Sequence, residues 1–151
     1  MAVYQIVKEG DPVLREKAKP INKVNDAAKR LLDNLRDTLF ETDTGVGIAA
    51  PQIGVSKQAV VIATEEDYLE MINPQIIDQE GSEEGWEGCL SVPGVEGLVP
   101  RATRITARYY DREGRLCEVK AQDFLARVIQ HEVDHLSGVL FIDRAEQINK
   151  G

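Results

Sequence analysis

Histidine, cysteine and aromatic residues are scarce in this chain. Of its 151 residues, two are histidine, two are cysteine and 5% are aromatic. Two cysteines cannot build a disulfide scaffold, so the fold has to rest on an ordinary core. No apolar run approaches the roughly 18 residues of a membrane span. The opening Met1-Ala2-Val3-Tyr4-Gln5-Ile6-Val7-Lys8 has neither the basic start nor the apolar stretch of a signal peptide, so a cytoplasmic location is expected. Basic residues number 18 against 26 acidic ones, giving net charge −8 and a pI near 4.8. That balance argues against a nucleic-acid binder, which needs a basic footprint. With 42% hydrophobic and 29% charged residues, residues 1–151 read as one folded domain.

The elements can be placed from pattern. Asp11-Pro12 opens a short helix, with Asp11 as N-cap and Pro12 at the first helical position, and Pro20 closes the segment. A longer helix starts near Asn25, where Ala28, Leu31, Leu32, Leu35 and Leu39 form one apolar stripe. The glycines of Thr44-Gly45-Val46-Gly47 rule out its continuation. Residues 59–63 are apolar and β-branched, as in a buried strand. Residues 71–77 predict another, which Pro74 demotes to an edge or a bulge. Residues 104–110 and 116–120 flank a turn-rich tetrad and predict an antiparallel hairpin. The last element is a helix over about 122–137, stopped by Gly138. Strands in series, with helices at the two ends, predict an α+β fold with a mainly antiparallel sheet.

The two histidines stand together in His131-Glu132-Val133-Asp134-His135. On a helix, positions i and i+4 face one way, so both imidazoles can meet one metal ion while Glu132 reaches its open side. Two surface histidines are the plainer alternative. Against it, Phe124, Val128, His131 and His135 share a stripe, and a buried imidazole needs a partner. The three-histidine protease pattern matches through Gly138 but ends on Phe141, and Asp143 and Glu146 follow too closely to ligate. A third ligand must therefore lie upstream, and Cys89 in Glu87-Gly88-Cys89-Leu90-Ser91 stands out as a soft thiolate donor. Cys117, mid-strand, reads as a small buried hydrophobe. The segment Gly45-Val46-Gly47-Ile48-Ala49-Ala50-Pro51-Gln52 is poor in bulk, as in tight packing or in backbone lying close to a ligand with the Gln52 amide held over it.

These three segments, in this order, resemble the signatures of the bacterial peptide deformylases, and the resemblance runs from Asp11-Pro12-Val13-Leu14-Arg15 to Leu140-Phe141-Ile142-Asp143. It implies antiparallel sheets packed around a C-terminal metal-binding helix, with N-terminal helices. It implies removal of the formyl group from the N-terminal formyl-methionine of new polypeptides. By carry-over Cys89, His131 and His135 bind a divalent metal, natively Fe2+, while Zn2+, Ni2+ or Co2+ suit the same donors. Glu132 is the general base and acid, and the Leu90 N–H and the Gln52 amide face the oxyanion. Val46, Gly47 and Gly88 bind the peptide as an added strand, and Phe124, Arg127 and Val128 line the methionine pocket, with the Arg127 head reaching solvent or a carboxylate. The expected partners are nascent formylated chains near the ribosome exit, with no nucleic acid and no membrane. The stretch between Ala63 and Met71 looks short for the family, and the eight residues after Asp143 leave no counterpart of the long C-terminal helix of some members.

Two other readings differ in chemistry. An ordinary metallopeptidase would want a third histidine. A silent relative that only binds formylated or nascent peptides would typically have lost Glu132 or the Cys89 segment, and both are present. One expectation comes from charge alone. Residues 58–100 contain no Lys or Arg but ten carboxylates, while the rest of the chain is net +2. Because Cys89 lies in that stretch, the carboxylates either face solvent or set a negative potential along the peptide's path that favours basic downstream residues.

Overall fold

The computed structural model describes residues 2–151. Helix α1 (Asp26–Phe40) starts where Asn25 caps it, with the Asn25 side chain accepting from the Ala28 N–H at 3.0 Å. Its stripe of Leu31, Leu32, Leu35 and Leu39 is buried. Each such leucine contributes roughly 1.5–3 kcal/mol through burial, against about 1 kcal/mol for the cap. Packing therefore dominates what holds α1.

The face it packs on belongs to a five-stranded antiparallel sheet of order β1-β2-β3-β6-β7. The strands are β1 (Gly47–Ala49), β2 (Ala59–Ala63), β3 (Tyr68–Glu80), β6 (Arg104–Tyr110) and β7 (Leu116–Gln122). In β2 the alternation serves two cores. Ala59 and Val61 face α1, whereas Val60 and Ile62 pack with Ala126 and Ile129 of the second long helix, α2 (Asp123–Leu136). Gly138, at φ +76, supplies the left-handed turn that ends α2. A second sheet of order β4-β5-β8 is built from β4 (Glu83–Cys89), β5 (Val92–Arg101) and β8 (Gln147–Lys150). It packs Val92 and Val99 against Leu140 and Phe141, the latter in the short helix α3 (Phe141–Arg144).

Two expectations need correction and one is narrowed. The Asp11-capped segment is one 3-10 turn, Pro12–Arg15, and does not run on to Pro20. Tertiary pairing takes the chain over: the Ala18 N–H donates to the Leu136 carbonyl and Lys19 bridges to Lys57. Of the two readings of Pro74 the bulge holds: β3 lies between β2 and β6, and its register shifts between Ile72 and Gln75. Asn73 adopts φ 52 there and exchanges two hydrogen bonds with the backbone of Ile21, both 2.8 Å. Cys117 is half-buried with its thiol on Asp111 at 3.6 Å, so it is no buried hydrophobe.

Candidate metal centre and peptide cleft

Helix α2 carries His131, Glu132 and His135 into the space between the two sheets, and β4 ends there on Cys89. Ligand atoms of Cys89, His131 and His135 all lie within 4.8 Å of one another, with the Cys89 Sγ 3.3 Å from the His135 Nε2. Phe141, standing where the three-histidine pattern has its last ligand, stacks on His131 with centroids 6.0 Å apart. The site so formed suits a divalent cation: one thiol and two imidazoles converge, and the buried Glu132 Oε1 beside them has no hydrogen-bond partner. A carboxylate oxygen left so costs about 1–3 kcal/mol or more unless something fills the space before it.

Glu87 explains how His131 is held. Its Oε1 faces the His131 Nδ1 at 2.9 Å, which leaves the Nε2 lone pair for a metal. Arg101 donates from Nε to Glu87 Oε2 and from Nη2 to Oε1, both at 2.9 Å, and Arg127 adds a third donor at 2.7 Å. Burial pushes the Glu87 carboxyl up, but Arg101 and His131 outweigh it and bring the pKa down to about 2. Burial opposes the charge on His131 too, yet Cys89 and Glu87 hold its pKa up at about 10, so a metal taking the Nε2 lone pair would displace a proton. His135, buried and beside His131, is pushed down to about 3. Burial lifts Glu132 to about 7, the range in which a carboxyl both takes and returns protons near neutrality. Sequence reasoning passed over Glu87 as a functional residue and did not weigh Arg101. The available signal was that Arg101 is the first basic residue after the long basic-free stretch.

Gln52 is buried and fixed at both ends of its amide. Its Oε1 accepts from the Ala49 N–H at 2.9 Å, and its Nε2 lies 3.1 Å from the Ser91 Oγ and 3.6 Å from the Cys89 Sγ. Ser91, fully buried, is a second residue that composition did not single out. The cleft in front of these groups has a volume of about 530 Å³, and every site residue expected from the sequence lines it except His135, which lies buried beneath His131. Of the pocket residues, Val128 is buried and Phe124 is 57% exposed. Arg127 does not turn its head to solvent but bonds Glu87 and the carbonyls of Val99 and Glu83. Along the two sides run β1 and β4, each an outer strand of its sheet with one neighbour among the described residues.

Of the ten carboxylates between residues 58 and 100, Glu87 alone lines the cleft, and its charge is taken up by two arginines. Glu70 pairs with Arg112, and the remaining eight are exposed.

Gly47 shows how closely the cleft wall approaches the Glu132 carboxyl. A Cβ there would meet the Glu132 Oε2 at 2.7 Å and Cγ at 3.0 Å. Gly47→Ala is expected to displace the carboxyl and to lower kcat/KM by about 10²-fold, with metal content unchanged. Steady-state kinetics beside metal analysis would check this, and wild-type activity in the variant would refute the assigned position of Glu132.

The comparisons with known proteins point one way. The Polypeptide deformylase family profile matches residues 3–151. The peptide deformylase of Pelotomaculum thermopropionicum is 51% identical over 150 residues, 99% of this chain and 96% of that one. The crystal structure of peptide deformylase from Thermotoga maritima superposes with a TM-score of 0.93 at 38% identity, covering 97% of this chain and 100% of that one. A Met-Ala-Ser-bound class I type b peptide deformylase from Acinetobacter baumannii superposes at 0.90 with 36% identity, covering 95% and 98%. With its full-length match to these sequences and its thiol and two imidazoles gathered on one helix and one strand end, the chain belongs to the polypeptide deformylase family.

Proposed function

We propose that this chain, as a single catalytic domain, removes the formyl group from formyl-methionyl polypeptides, releasing formate and a free amine. The observation that carries the reading is the Cys89–His131–His135 cluster at the floor of a cleft bordered by two outer strands. An extended peptide between β1 and β4 would add a strand to either sheet, drawing on the backbone at Val46, Gly47 and Gly88. Phe124, Val128 and the stem of Arg127 then offer an apolar slot next to His131, where an unbranched thioether fits by flexing.

Cys89, His131 and His135 would hold the metal, and a divalent ion bound there supplies Lewis-acid polarisation and a water of lowered pKa. Glu132 takes the proton from the attacking water and returns it to the departing nitrogen. The Gln52 amide and the Leu90 N–H donate to the formyl oxygen as it gains charge. One such donor is typically worth about 10²–10³ in rate. Fe2+ is the metal assigned here, by the family's habit. Raw affinity would favour Zn2+, and Ni2+ or Co2+ suit the same donors, so the purified protein's metal depends on its handling. Among the described residues, no helix is long and apolar enough to cross a membrane. The place of work assigned here is the cytoplasm, on nascent chains near the ribosome exit.

A formate-release assay on a formyl-Met peptide beside its acetyl counterpart tests the reaction. Turnover of the first alone is expected, and equal turnover of both would indicate a general amidase or peptidase. Run anaerobically and in air, the same assay tests the metal. The iron form is expected to lose activity in air through oxidation of the iron or of Cys89, while the nickel form keeps it. Equal survival would remove the case for iron.

A further inference from the structure

The first residues of the chain touch the catalytic machinery without entering the cleft. The Val7 N–H donates to the Gln52 carbonyl at 2.8 Å, and the Glu9 N–H donates to the Ser91 carbonyl at 2.8 Å. Between them the Lys8 Nζ reaches the Leu90 carbonyl at 3.4 Å. Three consecutive residues thus grip both segments that carry the oxyanion donors. Those segments come from different sheets: Gln52 lies in the 3-10 turn Ala50–Ile53 that follows β1, whereas Leu90 and Ser91 follow β4. The Gln52 carbonyl is near the end of its short turn, where carbonyls lack partners within the turn. The N-terminal segment is itself anchored. The Tyr4 N–H donates to the Thr38 Oγ1 at 3.0 Å, and Ile6 packs into the α1 cluster that Leu90 also joins.

We propose that Val7–Glu9 is a positioning strap: by holding the Gln52 and Ser91 carbonyls it fixes the Gln52 amide against the Cys89–Leu90 peptide and so sets the rate of the chemical step. Among the described residues, the Gln52 side chain bonds only to Ala49, Ser91 and Cys89. Its aim therefore follows from how its own backbone and that of Ser91 are placed, and the strap ties the two together. A displacement of about 1 Å at such a site can cost about 10²-fold in rate. The strap touches no reacting atom, so its effect should fall on kcat and leave KM nearly alone.

The proposal rests on Gln52 acting on the formyl oxygen, and a double-mutant cycle separates the two claims. Val7→Pro and Glu9→Pro each delete one N–H. Each is expected to lower kcat about tenfold with KM changed less than about twofold and metal content unchanged. In a Gln52→Ala background the same substitutions should lower kcat by less than about twofold. A full tenfold loss in that background, or a change confined to KM, would overturn the strap. If Gln52→Ala alone keeps the wild-type kcat, the oxyanion role itself falls, and the strap with it. Hydrogen exchange on the unaltered protein keeps the test open should the proline variants fail to fold. The Val7 and Glu9 amides are expected to exchange at least about tenfold more slowly than that of Gln5. Exchange as fast as Gln5 would show that nothing is strapped.

Discussion

Glu132→Ala is expected to retain its metal and to lose about 10²–10⁴ in kcat. Both halves of that outcome follow from where the carboxyl lies. The converging ligand atoms belong to Cys89, His131 and His135, and Glu132 is not one of them. Its side chain is buried, its Oε1 is unpartnered, and burial has raised its pKa to about 7. Burial raises its affinity for a proton, so it takes one from the attacking water more readily and can pass the same proton to nitrogen. The same burial is costly, because a desolvated carboxyl without a partner destabilises the fold by about 1–3 kcal/mol or more. The variant is therefore expected to lose activity far out of proportion to any change in stability. Metal analysis together with single-turnover rates would check it. Activity within a few-fold of wild type at full metal occupancy would remove Glu132 from the chemistry.

The parts of the molecule that were legible in the sequence share a cause. Helices α1 and α2 announce themselves because a wide buried stripe repeats at helical spacing and because Asn25 and Gly138 mark a start and a stop. The two candidate ligands on α2 were readable because imidazoles four apart on an apolar stripe are both desolvated, and one shared cation would satisfy them together. The three-stranded sheet was not. Residues 83–101 contain Gly85, Gly88, Gly94 and Gly97 with Pro93 and Pro100, a composition of low strand propensity. Tertiary needs override it. Gly97 lies where a Cβ would meet the Phe141 ring at 3.0 Å, and Gly85 leaves room for the Arg127 guanidinium. The glycines that hide the strands thus make room for the side chains packed on them. Glu87 was hidden for a different reason. In a run of ten carboxylates nothing local separates the one that is buried from the eight that face water, since the partners that decide it, Arg101 and Arg127, are 14 and 40 residues away.

That partnership carries the second large expectation: Arg101→Leu should destabilise the protein by about 3–5 kcal/mol. The Arg101 side chain is 4% exposed and the Glu87 side chain 5%. Besides its fork on Glu87, Arg101 donates from Nη1 to the Asp134 Oδ2 at 2.6 Å, so one guanidinium joins β4 to the C-terminal turn of α2. Leucine at this position leaves Glu87 in the interior with Arg127 and His131 as its remaining donors. Asp134 keeps Arg144, which is half exposed and so a weaker partner. Breaking a buried pair from one side is far more harmful than never having built it, because the other charge stays desolvated. Arg127 softens the loss at Glu87, which places the expectation nearer 3 than 5 kcal/mol. For a chain of this size that is a fall of very roughly 6–12 °C in Tm. The damage should also reach the metal, since a Glu87 released from Arg101 holds the His131 ring less firmly, and losses of that kind typically cost 10–100-fold, by order of magnitude, in metal affinity. Calorimetry on the metal-loaded protein and a competitive chelator titration would measure the two effects separately. A Tm within about 2 °C of wild type would mean that desolvating Arg101 costs as much as its ion pairs return. An unchanged chelator midpoint would mean that Glu87 orients His131 without help from Arg101.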